Sequence, residues 1–204
     1  IYSSAIFGII TVFVALWGVP FMQKIHHVSL SRATLLCNIV FIGVAVGAPI
    51  LGWLDGRLRD RRFIMVGAAI LAAFLLCVLI FDTQLSMFGI GAVMFLLGIA
   101  ASSYVLNFVI ANEVSSSHTR STAIGFTNMF SVVSAPIFQP LIGLVLYLLS
   151  NHPNQTNFDA YSVVHFQEAL LMIPIFVVIA AVLALWLPKR TISELVLTSD
   201  STDA

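Results

Sequence analysis

The sequence predicts an all-α membrane protein built as a six-transmembrane-helix bundle. Composition carries the first part of that reading. The 204-residue chain is 60% apolar and only 9% charged, with a mean hydropathy of +1.05, well beyond what a water-soluble domain with a polar shell requires. Spacing carries the second part. A hydrocarbon core of about 30 Å needs about 20 consecutive apolar residues in a helix, and the chain supplies six such stretches separated by short polar breaks. The third observation is an uneven distribution of bases, which gives the bundle a direction across the membrane.

The predicted spans are residues 1–22, 33–54, 63–81, 87–110, 123–149 and 169–187. None of the nine acids or nine bases lies inside them. Core helices of soluble proteins are interrupted by a charged outer face, whereas lipid selects uninterrupted apolar helices whose backbone groups bond internally. The first run begins at Ile1 without a start methionine, so the chain reads as part of a longer polypeptide. It has neither the basic leader nor the small-residue cleavage pattern of a signal peptide. In the second run Gly43 and Gly47 form a G-x-x-x-G pair, which calls for close helix packing rather than a ligand.

Lys and Arg accumulate in cytoplasmic loops. Arg57, Arg59, Arg61 and Arg62 follow the second span, Arg120 the fourth, and Lys189 and Arg190 the sixth, while the opposite side holds only Lys24 and Arg32. Seven against two places both ends of the chain in the cytoplasm. Residues 150–167 then form an outside loop, with a glycosylation sequon at Asn154-Gln155-Thr156, and 191–204 a polar, disordered cytoplasmic tail.

Several functions are disfavoured at this point. Zero net charge and nine scattered bases offer no patch for nucleic acid. Cys37 and Cys77 sit in apolar runs without His companions or paired spacing, so they read as packing residues, and no metal or other cofactor is expected. An intramembrane hydrolase needs a nucleophile and a base at membrane depth, and no span contains His or a carboxylate. A channel should show a filter-like re-entrant segment or a charged ring. A channel, or a structural subunit of a membrane assembly, stays as the alternative to a carrier.

The loop Gly52-Trp53-Leu54-Asp55-Gly56-Arg57-Leu58-Arg59-Asp60-Arg61-Arg62 resembles the G-x-L-x-D-R-x-G-R-R motif of the major facilitator superfamily, which follows the second span and recurs in degraded form after the eighth. Gly56 stands where the motif has Asp, Arg59 replaces its second Gly, and Asp60 replaces the next Arg. Asn112-Glu113-Val114 through Thr119-Arg120-Ser121-Thr122-Ala123-Ile124-Gly125-Phe126 is similar to that family's E-x6-R-(G/S)-T-A-x-G segment between spans ten and eleven. Phe138-Gln139-Pro140-Leu141-Ile142-Gly143 and Trp17-Gly18-Val19-Pro20 resemble parts of its eleventh and seventh spans. The resemblance implies the C-terminal half, spans seven to twelve, of a secondary transporter working by alternating access. Its partners would be the N-terminal six-helix half of the same polypeptide, the lipid bilayer and a small-molecule substrate, alone or together with protons. The membrane would be a bacterial inner membrane or another plasma membrane. It also assigns a gating network at the cytoplasmic loops to Asp55, Arg57, Arg61, Glu113 and Arg120, against the plainer reading that these charges only set topology.

Candidate cavity residues follow from polarity within the spans. Asn128, Ser131, Ala135 and Gln139 return to one face of the fifth helix, Ser103, Tyr104 and Asn107 lie on the fourth, Thr11 on the first and Asn38 on the second. Amides in hydrocarbon need partners or a watery cavity, so these positions should look inward. For Asn128 and Gln139, solute contact and interhelical bonding are both open. For Ser103 and Thr11, a bond to the preceding turn is the plainer account. The third and sixth spans, apolar nearly all round, read as peripheral. No ionisable residue lies at mid-membrane depth, so a proton-coupling group would sit in the other half.

Overall fold

The computed structural model describes residues 1–58, 60–150 and 161–187. Arg59, the sequon at Asn154, and Lys189, Arg190 and the tail lie outside them. Among the described residues six helices are long and apolar enough to cross a membrane: α1 (Tyr2–Ile25), α2 (Leu30–Arg57), α3 (Arg61–Phe81), α4 (Met87–Val114), α5 (Arg120–Leu149) and α6 (Val163–Ala184).

Charged residues extend these helices past the apolar runs. Asp55 and Arg57 belong to the last turns of α2, and Arg61 and Arg62 open α3. Asp60 caps α3, its Oδ1 accepting from the Arg62 backbone N–H at 3.1 Å, which satisfies one of the donors a helix N-terminus leaves unpaired. α6 starts at Val163 because Ser162 caps it, accepting from His165 N–H at 3.2 Å. Its first turns hold His165, Gln167 and Glu168, polar residues that hydropathy assigns to a loop but that fold as helix where the chain leaves water.

The helix α1 is central. Of its most apolar stretch 67% is buried, against 17% for α5 and 28% for α2. α3 and α6 bury 50% and 44%, packing mainly on each other, so the helices read as peripheral are half enclosed. The α2–α4 crossing is the tightest contact. A methyl group added at Gly43 would collide with the Phe95 carbonyl oxygen, and one at Gly98 with that of Val40. At Gly47 it would lie 2.6 Å from Ser102 Oγ and 2.7 Å from Ile99 Cα. Absent side chains let two backbones touch here.

Among the described residues α1 and α4 change helix type at depth, and single turn residues, Val133 and Leu171, interrupt α5 and α6. Ile9–Trp17 of α1 is a π-helix, and Ser102–Val105 of α4 is a 3-10 turn. Such departures inside longer helices are frequent at functional sites. Side chains cover the disturbed backbone: Gln139 Nε2 donates to Thr11 O at 2.8 Å, and Ser102 Oγ to Ile99 O at 2.7 Å. The polar groups of α1 and α5 meet along one seam, Ser3 with Ser131, Ser4 with the Phe130 carbonyl, and Thr11 with Ser134.

At the opposite end from the arginines, two side chains cap the last turn of α3. His26 Nε2 lies 3.3 Å from Leu79 O, and Gln167 Nε2 donates to Ile80 O at 2.8 Å. His27, in the α1–α2 connection, takes a left-handed conformation (φ 53°).

Candidate functional site

The ends of α2, α3 and α4 converge on one guanidinium. Arg61 Nη2 donates to Asp55 Oδ2 at 3.2 Å and to Glu113 Oε1 at 2.9 Å. Arg61 is 7% exposed and Asp55 6%, while about a third of the Glu113 side chain reaches the surface. Asp55 lies close to the end of α2 and Arg61 opens α3, so the short turn between them folds one helix end onto the next. Charge-assisted bonds of this kind are short and strong, and burying the arginine is tolerable only because carboxylates face it. Beside this cluster Arg62 donates through Nε to Asp60 Oδ1 at 3.1 Å and through Nη1 to Leu185 O at 3.0 Å. Arg62 thereby ties α3 to the final carbonyls of α6, a role that sequence reading did not find.

The remaining members of the predicted gating set do not join the cluster. Arg57 is exposed and places its guanidinium carbon 3.9 Å from the centroid of the Trp53 ring, a cation–π contact. Arg120 opens α5, is exposed, and makes no ion pair among the described residues.

The predicted cavity residues separate into three groups. Ser103, Ser131, Thr11 and Gln139 are engaged between helices. Ser103 meets the Tyr2 hydroxyl at 2.9 Å, while that hydroxyl donates to Met65 O at 2.7 Å. Ser131 donates to Thr127 O at 2.9 Å as well as meeting Ser3. Thr11 bonds its own preceding turn through Phe7 O at 3.2 Å and receives the Gln139 amide on its carbonyl. Tyr104 and Asn107 form the second group. The Tyr104 ring lies 4.8 Å from Phe7 and 6.2 Å from Phe108 between centroids, and Asn107 Nδ2 donates to Tyr104 O at 3.0 Å. Asn38 and Asn128 form the third, both exposed on the outer surface of this bundle and without polar contacts among the described residues.

An open cleft of about 370 Å³ lies at the Arg61 end between α1, α4 and α5. Its walls include Asn107, Ala111 and Val114 on α4, and Ala123, Phe126, Thr127 and Phe130 on α5. Tyr2 and Ser3 also line it, with hydroxyls already bonded within the protein. Of these, only Asn107 came from the sequence. The missed aromatics had a signal, a repeat of Phe at 126 and 130, one turn apart on the face opposite Asn128. Among the described residues no group of three or more His, Cys, Asp or Glu side chains is placed to hold a metal ion.

Comparison with known proteins supplies the frame for this geometry. No curated protein sequence matches the chain. Residues 1–202 match the family profile of the Major Facilitator Superfamily. That match spans all six membrane-crossing helices, the Arg61 cluster and the cleft. The chain belongs to the major facilitator superfamily of membrane transporters.

Proposed function

We propose that the chain is the C-terminal six-helix half of a secondary transporter that moves a small solute by alternating access, with both of its ends in the cytoplasm. The observation that carries this reading is the buried Arg61 shared by Asp55 and Glu113. It fastens the ends of α2, α3 and α4 so that they move as one body, which rocking of two bundles demands. The low burial of α2 and α5 supports the same reading, since these helices have a face to offer the N-terminal half. Arg57 and Arg120, exposed at the same end, are the groups that reach across to that half when the cytoplasmic side closes.

The cavity in this reading is bordered by Tyr104, Asn107 and the α1–α5 seam of Thr11, Ser131 and Gln139, with Ser103 behind it and Asn38 and Asn128 turned to the other half. No acid or base of the described residues sits at mid-depth, so proton coupling, where it operates, uses the other half. The test is made in the full-length protein in proteoliposomes with Asp55→Asn and Glu113→Gln. Both should slow uptake and shift the labelling of cysteines placed at the cytoplasmic end. Unchanged rate and unchanged labelling at normal membrane abundance would refute the role of the cluster.

A further inference from the structure

The cleft between α1, α4 and α5 has a chemistry of its own. Its α5 wall is the Phe126–Phe130 pair, rings 4.7 Å apart between centroids and tilted by 55°. Both rings are open to the outside, Phe126 at 59% and Phe130 at 42% exposure. Exposed aromatics are common on a helix that meets lipid, so exposure alone decides nothing. The facing wall decides it. Asn107 spends its Nδ2 on Tyr104 O, which leaves Oδ1 as an acceptor without a protein partner among the described residues. One turn deeper on α4, beyond the cleft's lining, the Tyr104 ring rests on Phe7 and Phe108, while no protein group bonds its hydroxyl among the described residues. Polar groups at membrane depth ordinarily find a partner, and neither of these two atoms is sealed in.

Charge supplies the complementary half of the argument. Among the described residues no acidic, basic or histidine side chain lines the cleft, and Arg61, the cation of the neighbouring cluster, is buried and turned onto Asp55 and Glu113. An ionic solute entering here would shed water without meeting a counter-charge, at a cost of several kcal/mol. A neutral ring gives up little on leaving water and gains contact with aromatic faces. The volume, about 370 Å³, falls at the small end of the range in which ligand pockets occur.

From this we infer that the cleft binds uncharged solutes that present a flat aromatic ring to Phe126 and Phe130 and a hydrogen-bond donor to Asn107 Oδ1. The inference rests on the transporter reading above and adds the class of solute to it.

The experiment uses the full-length protein in nanodiscs, with Cys37→Ala and Cys77→Ala as background and Thr127→Cys as a reporter on the cleft wall. Maleimide labelling of the reporter is followed against four probes: benzamide, cyclohexanecarboxamide, benzoate and benzylammonium. Benzamide should protect the reporter, the saturated amide should need a severalfold higher concentration, and the two ions should not protect. Phe126→Leu with Phe130→Leu keeps apolar volume while removing the rings, and should raise the half-protecting concentration of benzamide by about tenfold. Protection by an ion as strong as by benzamide would overturn the inference. So would indifference to ring saturation, an unchanged leucine variant, or no protection by any probe. The two readings fail separately. Protection with no uptake of any solute would refute transport and leave the cleft standing, whereas solute uptake with labelling indifferent to all four probes would refute the cleft and leave transport standing.

Discussion

Replacing Arg61 with Met tests how the charge cluster is built, and its size can be worked from the structure. The side chain removed is 8% exposed and holds two carboxylates, at 3.2 and 2.9 Å. Removing one partner of a buried pair costs about 3–5 kcal/mol, most of it the desolvation of the charge left behind. Here the charge left behind is Asp55, whose side chain is also 8% exposed, while Glu113 at 33% recovers water. The lower half of the range is therefore expected, about 3 kcal/mol. Adding Asp55→Asn to Arg61→Met should recover part of the loss, because the buried carboxylate that faced the guanidinium no longer carries a charge; the two changes should be non-additive by about 1 kcal/mol or more. Arg57→Met is the control. It loses an exposed cation–π contact with Trp53, worth about 0.5–1 kcal/mol. Equilibrium unfolding of the purified protein in mixed micelles, followed by circular dichroism, reads all four variants. Arg61→Met no more damaging than Arg57→Met, or strict additivity with Asp55→Asn, would refute the argument that burial makes Arg61 indispensable.

Two further outcomes follow from packing and protonation. At Gly47 an added methyl must open contacts of 2.6 and 2.7 Å to an ordinary 3.5 Å or so, overpacking that costs about 1–3 kcal/mol. Gly67 in α3 faces open space, so Gly67→Ala should instead stabilise by up to about 1 kcal/mol through helix propensity; equal effects of the two substitutions in thermal unfolding would contradict the α2–α4 crossing. His26 gives a pH dependence. Its Nε2 donates to Leu79 O, and its Nδ1 is buried without a partner. Burial lowers its pKa below the ordinary 6.5, against upward pulls from the Leu79 carbonyl and Asp82. The unfolded chain then binds the proton first as pH falls, so the histidine contributes full stability above about pH 6.5 and loses it below, down to the folded-state pKa. His26→Gln keeps a donor for Leu79 without titrating, and its unfolding midpoint should fall less than that of the parent protein between pH 7 and pH 5; parallel curves would exclude the mechanism.

The topology was legible because lipid acts on whole segments. Twenty apolar residues in a row admit one backbone solution, and six such runs determine six helices regardless of side-chain detail. The ends were less legible, since hydropathy cannot see that Arg61 and Glu168 remain helical once Asp60 and Ser162 cap the turns before them. The π segment of α1 was not legible at all. Ile9–Trp17 contains no Pro or Gly, and its π geometry depends on tertiary partners such as Gln139 donating to Thr11 O. Periodicity put Asn128, Ser131, Ala135 and Gln139 on one face, but it could not say that Ser131 and Gln139 meet α1 while Asn128 stays exposed. The matching hydroxyls were present in the sequence, at Ser3, Ser4 and Thr11 on one helix and at Ser131 and Ser134 on the other. Pairing them required knowing which helices are neighbours.

The distribution of chemistry with depth follows from the same cost. Charges occur where helices end, and there the most buried of them, Arg61 and Asp55, hold each other. Deeper in, the polar groups are neutral, and most are committed: Ser103 to Tyr2, Gln139 to Thr11, Ser131 to both Ser3 and its own helix. Interhelical bonds of this type contribute only about 0.6 kcal/mol each on average, so the α1–α5 seam specifies alignment more than it supplies stability. The α2–α4 crossing works the other way, since glycine backbones in contact tolerate no change of shape. A solute approaching this bundle therefore meets few groups that are free to answer it. Those that line or border the cleft, the Asn107 carbonyl, the Tyr104 hydroxyl and the Phe126 and Phe130 rings, are uncharged, so the bundle itself disfavours an ion there, and any counter-charge for a charged solute has to come from residues on the opposing half.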